Sequence, residues 1–437
     1  MTTKQIVFSL LLLCTLGVFA FTMYRIIRFF SFTKKGFPVR NIPARIWLTL
    51  KVVVGQTKIF RRPLVGLLHA LVFWGFCVIL FGSIEMVIDG VGGKEKSLHG
   101  LGFIYDLFML SGDVFAPVIA LAVIIFLIRR NMLHVKRFEG IEMKPISHLD
   151  ANIALTIILV LMISLTGMNA AYCALQGKLN QPVYGIYPAG AFVARWLSSL
   201  ETHQLEWLYQ VCWWMHITLI FIFANILPYS KHFHVFMSVP NVFLSRLEPL
   251  GKLYNMESVT REVKMMLYPE MVSSSTEVPP SRFGVKDADD VVWKTYFDSL
   301  ACTECGRCTS VCPANLTGKK LSPRKVMMDL RARMKEKGLQ LLKNKDFNDN
   351  KSLVRDYISE EEIWACTTCN ACARECPINI NHPSLIVDMR RYLVMEEGAA
   401  PGELKTVFNN MENNGAPWQY SPEDRLLWAR DLEMNAK

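Results

Sequence analysis

Five long apolar runs, at residues 6–28, 64–88, 102–128, 152–173 and 206–228, set the pattern of the first half of the chain. Each is near the ~20 residues needed to cross ~30 Å of hydrocarbon, so each predicts a transmembrane helix. The first run is long for a secretory leader, has no clear small-residue cleavage site and is followed by further runs, which makes it a span. Glu85, Asp106 and Asp113 are expected at the ends or on the protein-facing sides of these helices. Residues 186–200, with Tyr187, Phe192, Trp196 and Leu197, read as an amphipathic helix lying on the outer surface.

The pattern changes after residue 236. Pro240, Pro249, Pro269, Ser273 to Ser275, Pro279 and Pro280 mark residues 237–282 as a linker with short surface helices. Order resumes at Phe283, with a helix from Val291 to Leu300. Ser322-Pro323 is a helix start, an N-cap serine followed by proline at the first helical position. In that helix Met327, Leu330 and Met334 form the inward stripe, and Arg331, Arg333, Lys335 and Lys337 are expected on a solvated face. Leu385, Ile386, Met389 and Leu393 form the stripe of another helix.

The chain carries a formal net charge of +10 on 437 residues, and its distribution argues against a nucleic-acid partner. Lys34, Lys35, Arg40, Arg45, Lys51, Lys58, Arg61 and Arg62 lie between the first two runs without an acidic residue, and Arg129, Arg130, Lys136 and Arg137 follow the third. The positive-inside rule places these loops in the cytoplasm, with the N-terminus outside and the C-terminal half inside. Topology and attraction to the inner leaflet then account for the charge.

Eight of the 12 cysteines stand in two copies of one pattern: Cys302, Cys305, Cys308 and Cys312 before Pro313, and Cys366, Cys369, Cys372 and Cys376 before Pro377. Three close thiolates wrap three corners of an iron-sulfur cube, and in two-cluster proteins the fourth ligand comes from the other copy. The spacing therefore predicts one [4Fe-4S] cluster on Cys302, Cys305, Cys308 and Cys376, and a second on Cys366, Cys369, Cys372 and Cys312. Structural zinc would leave the third and fourth cysteines of each copy without a role, and disulfides would require an oxidising compartment. Gly306 and Asn370 occupy equivalent places where the backbone packs against a cluster. Cys14, Cys77, Cys173 and Cys212, scattered in apolar runs, read as inert core thiols. The expected fold is mainly α: a five-helix transmembrane bundle over 1–236, the linker, a helical two-[4Fe-4S] ferredoxin-like domain over 283–397, and a partner-contacting tail over 398–437.

Of the nine histidines, His99, His203, His134, His148 and His382 are expected as surface or capping residues. His69 and His216 lie within spans, where an ionisable side chain is a functional-site hypothesis. His234 follows His216 by eighteen residues, ~27 Å on a continuous helix, which puts His234 at the depth of His69. The pair can clamp a haem between the second and fifth helices. His232 is the alternative ligand, and a purely structural role for these histidines is the competing reading.

The segment Leu68-His69-Ala70-Leu71-Val72-Phe73-Trp74-Gly75-Phe76, together with Trp213-Trp214-Met215-His216 and Pro228-Tyr229-Ser230-Lys231-His232-Phe233-His234, resembles the cytochrome b subunit of respiratory nitrate reductase. The arrangement is still more similar to the membrane subunit of heterodisulfide reductase and its relatives fused to a ferredoxin domain. That resemblance implies haem b and exchange of electrons with a membrane quinone. The nitrate reductase type has a further histidine in the second span, pairing with the counterpart of His216. The corresponding stretch here, Cys77 to Phe81, has none, so one haem is the expectation, and His216 is left either to face a quinone or to bind a second haem through an unassigned partner, for which Met168 and His99 are the candidates.

These readings point to an electron-transfer subunit of a quinone-linked iron-sulfur oxidoreductase in the bacterial inner membrane, with its iron-sulfur domain cytoplasmic, passing electrons toward menaquinone. The expected partner is an electron-transfer flavoprotein or a cysteine-rich iron-sulfur reductase subunit. The tail from Met411 to Trp428 resembles a connector to a cysteine-rich catalytic domain, so the catalytic module is expected on a separate chain. The alternatives are a quinol-oxidising subunit supplying a disulfide or thiol reductase, and a membrane-anchored iron-sulfur redox sensor or scaffold.

Overall fold

A computed structural model describes residues 2–36, 38–269 and 282–429. The serine and proline run at 273–280, read as linker, lies outside them.

The apolar runs fold as helices. α1 (Thr3–Phe30) opens on a capping box, in which Thr2 accepts from the Gln5 amide and Gln5 returns a bond to the Thr2 amide. α2 (Ile42–Thr49) lies in the loop before α3 (Pro63–Gly92), which starts on a proline and ends at left-handed Gly93. α4 (Phe103–Asn131), α5 (Pro145–Leu179), the short α6 (Pro188–Ala194) and α7 (Thr202–Ile226) follow. Among the described residues α1, α3, α4, α5 and the segment Thr202–Tyr229 are long and apolar enough to cross a membrane. They contain the five expected spans.

The acidic residues of the spans face protein. Asp113 accepts from Asn169 Nδ2 at 2.9 Å and from the Ala189 and Gly190 amides that open α6. Glu85 accepts from Tyr105 and the Leu98 amide. On the amphipathic stretch Tyr187 is buried, while Phe192 and Trp196 stay exposed.

Past α7 the expected continuous helix is broken. Pro228 has no amide to donate and cannot continue an α-helical ladder. The chain passes through a single turn at Leu227–Tyr229, an extended Ser230 and a new turn capped by the Ser230 hydroxyl. α8 (His234–Phe243) then starts at His234 itself. His216 and His234 therefore do not share a helix face.

The remaining helices form the second half: α9 (Glu257–Leu267), α10 (Trp293–Ala301), α11 (Pro313–Leu316), α12 (Pro323–Leu341), α13 (Glu360–Trp364), α14 (Ala371–Glu375), α15 (His382–Arg391) and α16 (Gly402–Asn414). Ser322 caps α12 as expected, accepting from the Lys325 amide. Met327, Leu330 and Met334 are buried with Leu385, Ile386, Met389 and Leu393 in one core. Phe29 from the end of α1 and Phe233 from the turn before α8 enter that same core. Burying a phenylalanine contributes about 1.5–3 kcal/mol, so these two rings join the apolar bundle to the cysteine-bearing half.

The expected solvated face of α12 is exposed at Lys335 but not along its other three positions. Arg333 is fully buried, donating to Asp287 at 2.9 and 2.8 Å and to Asp349 at 2.7 and 2.8 Å. Lys337 pairs with Asp287 and Asp289. Arg331 donates to the Cys302 carbonyl at 3.0 Å and pairs with Glu304. Acidic partners from distant segments thus satisfy Arg331, Arg333 and Lys337.

Candidate functional site

The two cysteine loops repeat each other in backbone conformation. The residue before the second cysteine is left-handed in both copies, Glu304 (φ 56) and Thr368 (φ 54), and so is the residue after it, Gly306 (φ 73) and Asn370 (φ 60). Such alternation turns successive amides toward an anion. The Thr368 amide donates to Cys366 Sγ at 3.4 Å. At Gly306 a Cβ would meet the Arg137 carbonyl at 2.4 Å, so only glycine lets that loop approach so closely. An arginine clamps the first cysteine of each copy: Arg331 at the Cys302 carbonyl, and Arg390 at the Cys366 carbonyl at 2.5 Å.

Folding brings the eight cysteines together in crossed sets. Cys302, Cys305, Cys308 and Cys376 line one cavity, and Cys312, Cys366, Cys369 and Cys372 line another. Burial pushes the Cys302 thiol up to about 11 and the Cys372 and Cys376 thiols up to about 12. Thiolates in such walls require a compensating metal charge, which the iron of a bound cluster would supply. Among the described residues no group of His, Cys, Asp or Glu converges as ligands of a single ion. Four cysteines around each cavity, three from one copy and one from the other, are the donor set a [4Fe-4S] cube takes.

The first cavity is docked on the loops of the helix bundle. Arg307, inside the first motif, is buried and donates to the Lys58 and Ile59 carbonyls at 2.9 and 3.3 Å. Lys58 Nζ reaches back to the Cys376 carbonyl at 3.0 Å. Arg61 and Arg62 pair with Glu375, and Arg324 pairs with buried Glu142 at 2.7 Å while donating to the Arg137 and Glu139 carbonyls. Lys231 pairs with Glu304. The loop cations expected to serve topology and the inner leaflet thus also hold the cysteine-bearing half. Burial would raise the Glu304 carboxyl, but Arg331, Ser147 and Lys231 hold it below the ordinary range.

The docked loop leads straight into α3. Gly66 there leaves no room for a Cβ, which would stand 2.6 Å from the Ile59 carbonyl. One turn on is His69, whose Nδ1 is buried without a hydrogen-bond partner. His234 and Arg307 both lie within electrostatic reach of His69, so the structure brings His69 and His234 together despite the broken helix. His234 Nδ1 faces the Lys231 carbonyl at 3.2 Å, a contact that fixes the tautomer and leaves Nε2 for a metal. His232 shares its Nδ1 with Ser230 at 3.0 Å and stands 3.9 Å from Asp150. Burial, with His234, Lys231 and Arg130, pushes it down to about 3.

His216 stands apart from this pair. It is buried against α5, with Nδ1 at 3.0 Å from both the Leu161 carbonyl and Ser164 Oγ. Met168 packs in the core that holds Trp213 and Ile217, whereas His99 is exposed and faces the Lys96 carbonyl. His382, expected at the surface, is fully buried and lines the first cavity, because the Asn381-capped start of α15 packs directly behind Cys376-Pro377. Sequence reasoning missed Lys58, Arg307, Arg324, Arg331, Arg390 and His382. Arg307 alone carried a signal, its place between Cys305 and Cys308.

Residues 301–380 match the 4Fe-4S dicluster domain family. The chain is 28% identical over 415 residues to the "Probable iron-sulfur-binding oxidoreductase FadF" of Bacillus subtilis, covering 88% of this chain and 54% of that protein. It is 29% identical over 452 residues to the "EtfAB:quinone oxidoreductase" of Syntrophomonas wolfei, covering 96% and 58%. Over 165 residues it is 35% identical to the "Probable membrane-anchored ferredoxin" of Chromohalobacter salexigens, covering 35% and 25%. The chain thus spans little more than half the length of the first two relatives. No solved structure matches it. Five apolar helices joined to a 4Fe-4S dicluster domain are what these observations establish.

Proposed function

We propose that this chain is the membrane electron-transfer part of an iron-sulfur oxidoreductase, relaying electrons from a soluble donor to a membrane quinone. The two cysteine cavities would each hold a [4Fe-4S] cluster, and His69 and His234 would hold a haem b between α3 and the start of α8. The observation that carries this reading is the Arg307–Lys58 clasp, which joins the first cysteine cavity to the loop running into His69. Orphaned His69 Nδ1 and the buried, unpartnered guanidinium nitrogens of Arg130 and Arg137 fit such a group, the arginines being suited to its carboxylates.

The bound cofactors supply the one-electron chemistry; the protein sets their order and surroundings. Cys369 is exposed, so the second cavity is the side open to a soluble partner. Arg307 and Lys58 fix the first cavity against the bundle. His234, oriented by the Lys231 carbonyl, and His69 would supply the two imidazoles. The similarity to an EtfAB:quinone oxidoreductase supports an electron-transfer flavoprotein as donor and a quinone as acceptor. The cation-rich loops support a cytoplasmic iron-sulfur half at the bacterial inner membrane. His216, away from the pair, has a structural contact with Leu161 and Ser164 and would serve a quinone or a second haem only through a partner not assembled around it.

The test is purification of the full chain in detergent, with iron, acid-labile sulfide and pyridine-haemochrome assays and reduction by flavoprotein. Two cubanes, one protohaem and quinone-dependent reoxidation are expected. Cubanes without any haem absorbance would favour an anchored redox sensor.

A further inference from the structure

The two cysteine cavities differ in what completes them. Arg307, Arg324 and His382 contribute to the wall of the first. The second is closed by proline and aliphatic side chains, with Thr367 and Asn370 as its neutral polar members. Charges around the cysteines follow the same division: Arg137 and Arg307 act on Cys305, and Arg390 acts on Cys366.

His382 is the least expected of these groups. It is fully buried, and its Nδ1 has no hydrogen-bond partner. The Ile380 backbone lies within reach of the same imidazole. An imidazole N–H turned into this wall would meet cluster sulfur as its acceptor. The repeat does not supply the same group twice. Six residues after Cys376 stands His382, whereas six residues after Cys312 stands Gly318.

Reduction adds negative charge, so buried cations and N–H donors stabilise the reduced form and raise a cluster's potential. Solvent exposure at Cys369 acts in the same sense on the second cavity, but water screens charge, whereas a buried cation such as Arg307 is screened less. We propose that His382, with Arg307, holds the first cavity's cluster at a higher midpoint potential than the second's, making the bundle-side site the electron sink of the pair. One electron moves from the second cavity to the first; no bond changes, and His382 keeps its proton. The inference rests on the cubane reading above and is independent of the haem.

The test is a potentiometric titration of the full chain in detergent followed by EPR, with Cys369→Ser identifying the second cavity's signal. The first cavity's signal is expected at the higher midpoint. His382→Leu should shift that midpoint alone toward negative values, and His382→Gln, which keeps a donor, should restore most of it. Coinciding or reversed midpoints in the unmodified chain would overturn the proposal, as would a His382→Leu variant that moves neither signal or both equally. Should His382→Leu fail to assemble, the order of midpoints in the unmodified chain and the His382→Gln shift still decide. Absence of any cubane signal would instead overturn the cluster reading itself.

Discussion

The two cysteine cavities are built by one repeated motif, with the same left-handed positions and an arginine on each first carbonyl, yet they sit in opposite surroundings. The first is pressed against the bundle by Arg307, Lys58 and Arg324 and walled by cations. The second is apolar and reaches the surface at Cys369. A repeated motif thus gains two different surroundings, through Arg307 inside the first copy and through residues outside the motif. The short loops make the ligand geometry, and long-range contacts decide which cavity meets the helix bundle.

The strongest way to break this comparison is to exchange the ligands that cross between copies. Cys376→Ser should remove the cluster of the first cavity and Cys312→Ser that of the second, read by EPR and iron content. Loss in each variant of the cluster belonging to its own motif would end the crossed arrangement.

Next in size is the dock. Arg324→Ala leaves Glu142 buried and unpaired, a loss of about 3–5 kcal/mol for a broken buried pair. Thermal melting should fall steeply, and the first cluster should be lost before the second. Lys320→Ala, which removes an exposed pair with Glu361 near the second cavity, should leave melting unchanged.

A smaller effect sharpens the claim that the dock positions the first cavity. Lys58→Ala removes one charged hydrogen bond, worth about 1.5–3 kcal/mol. Stopped-flow traces should show slower reduction of the haem while reduction of the clusters by a soluble donor is unchanged. Equal slowing of both would place Lys58 outside the relay.

The smallest expected effect is common to both cavities. Burial would raise the Asp287 carboxyl, but Arg333 and Lys337 hold it below the usual range. A depressed carboxyl stabilises the fold above its unfolded pKa of about 3.9, and that contribution is lost as pH falls through the lower folded value. Melting followed from pH 6 downward should therefore show an acid-labile component, which Lys337→Ala, removing one of the two cations on Asp287, should weaken without abolishing.

How much of this was legible follows from sequence distance. The cysteines, the Ser322-Pro323 start and the Met327, Leu330 and Met334 stripe are local patterns, and each was readable. The spans were readable from apolar length alone. His234 lies near His69, but not by the route the sequence suggested, because Pro228 ends the helix on which the depth argument relied. Arg333 and Arg324 were not readable, since their acidic partners lie 46 and 182 residues away. His382 escaped for a related reason: its burial is created by the packing of α15 behind Cys376, which no local pattern encodes.

The most direct test of the central claim is the optical and EPR spectrum of the purified full chain carrying His69→Ala or His234→Ala. Either variant should lose the low-spin haem, leaving it high-spin or absent, while both cubane signals persist and quinone-linked turnover falls with the haem. An unchanged bis-histidine spectrum in both variants would contradict the account and turn attention to His232 and His216.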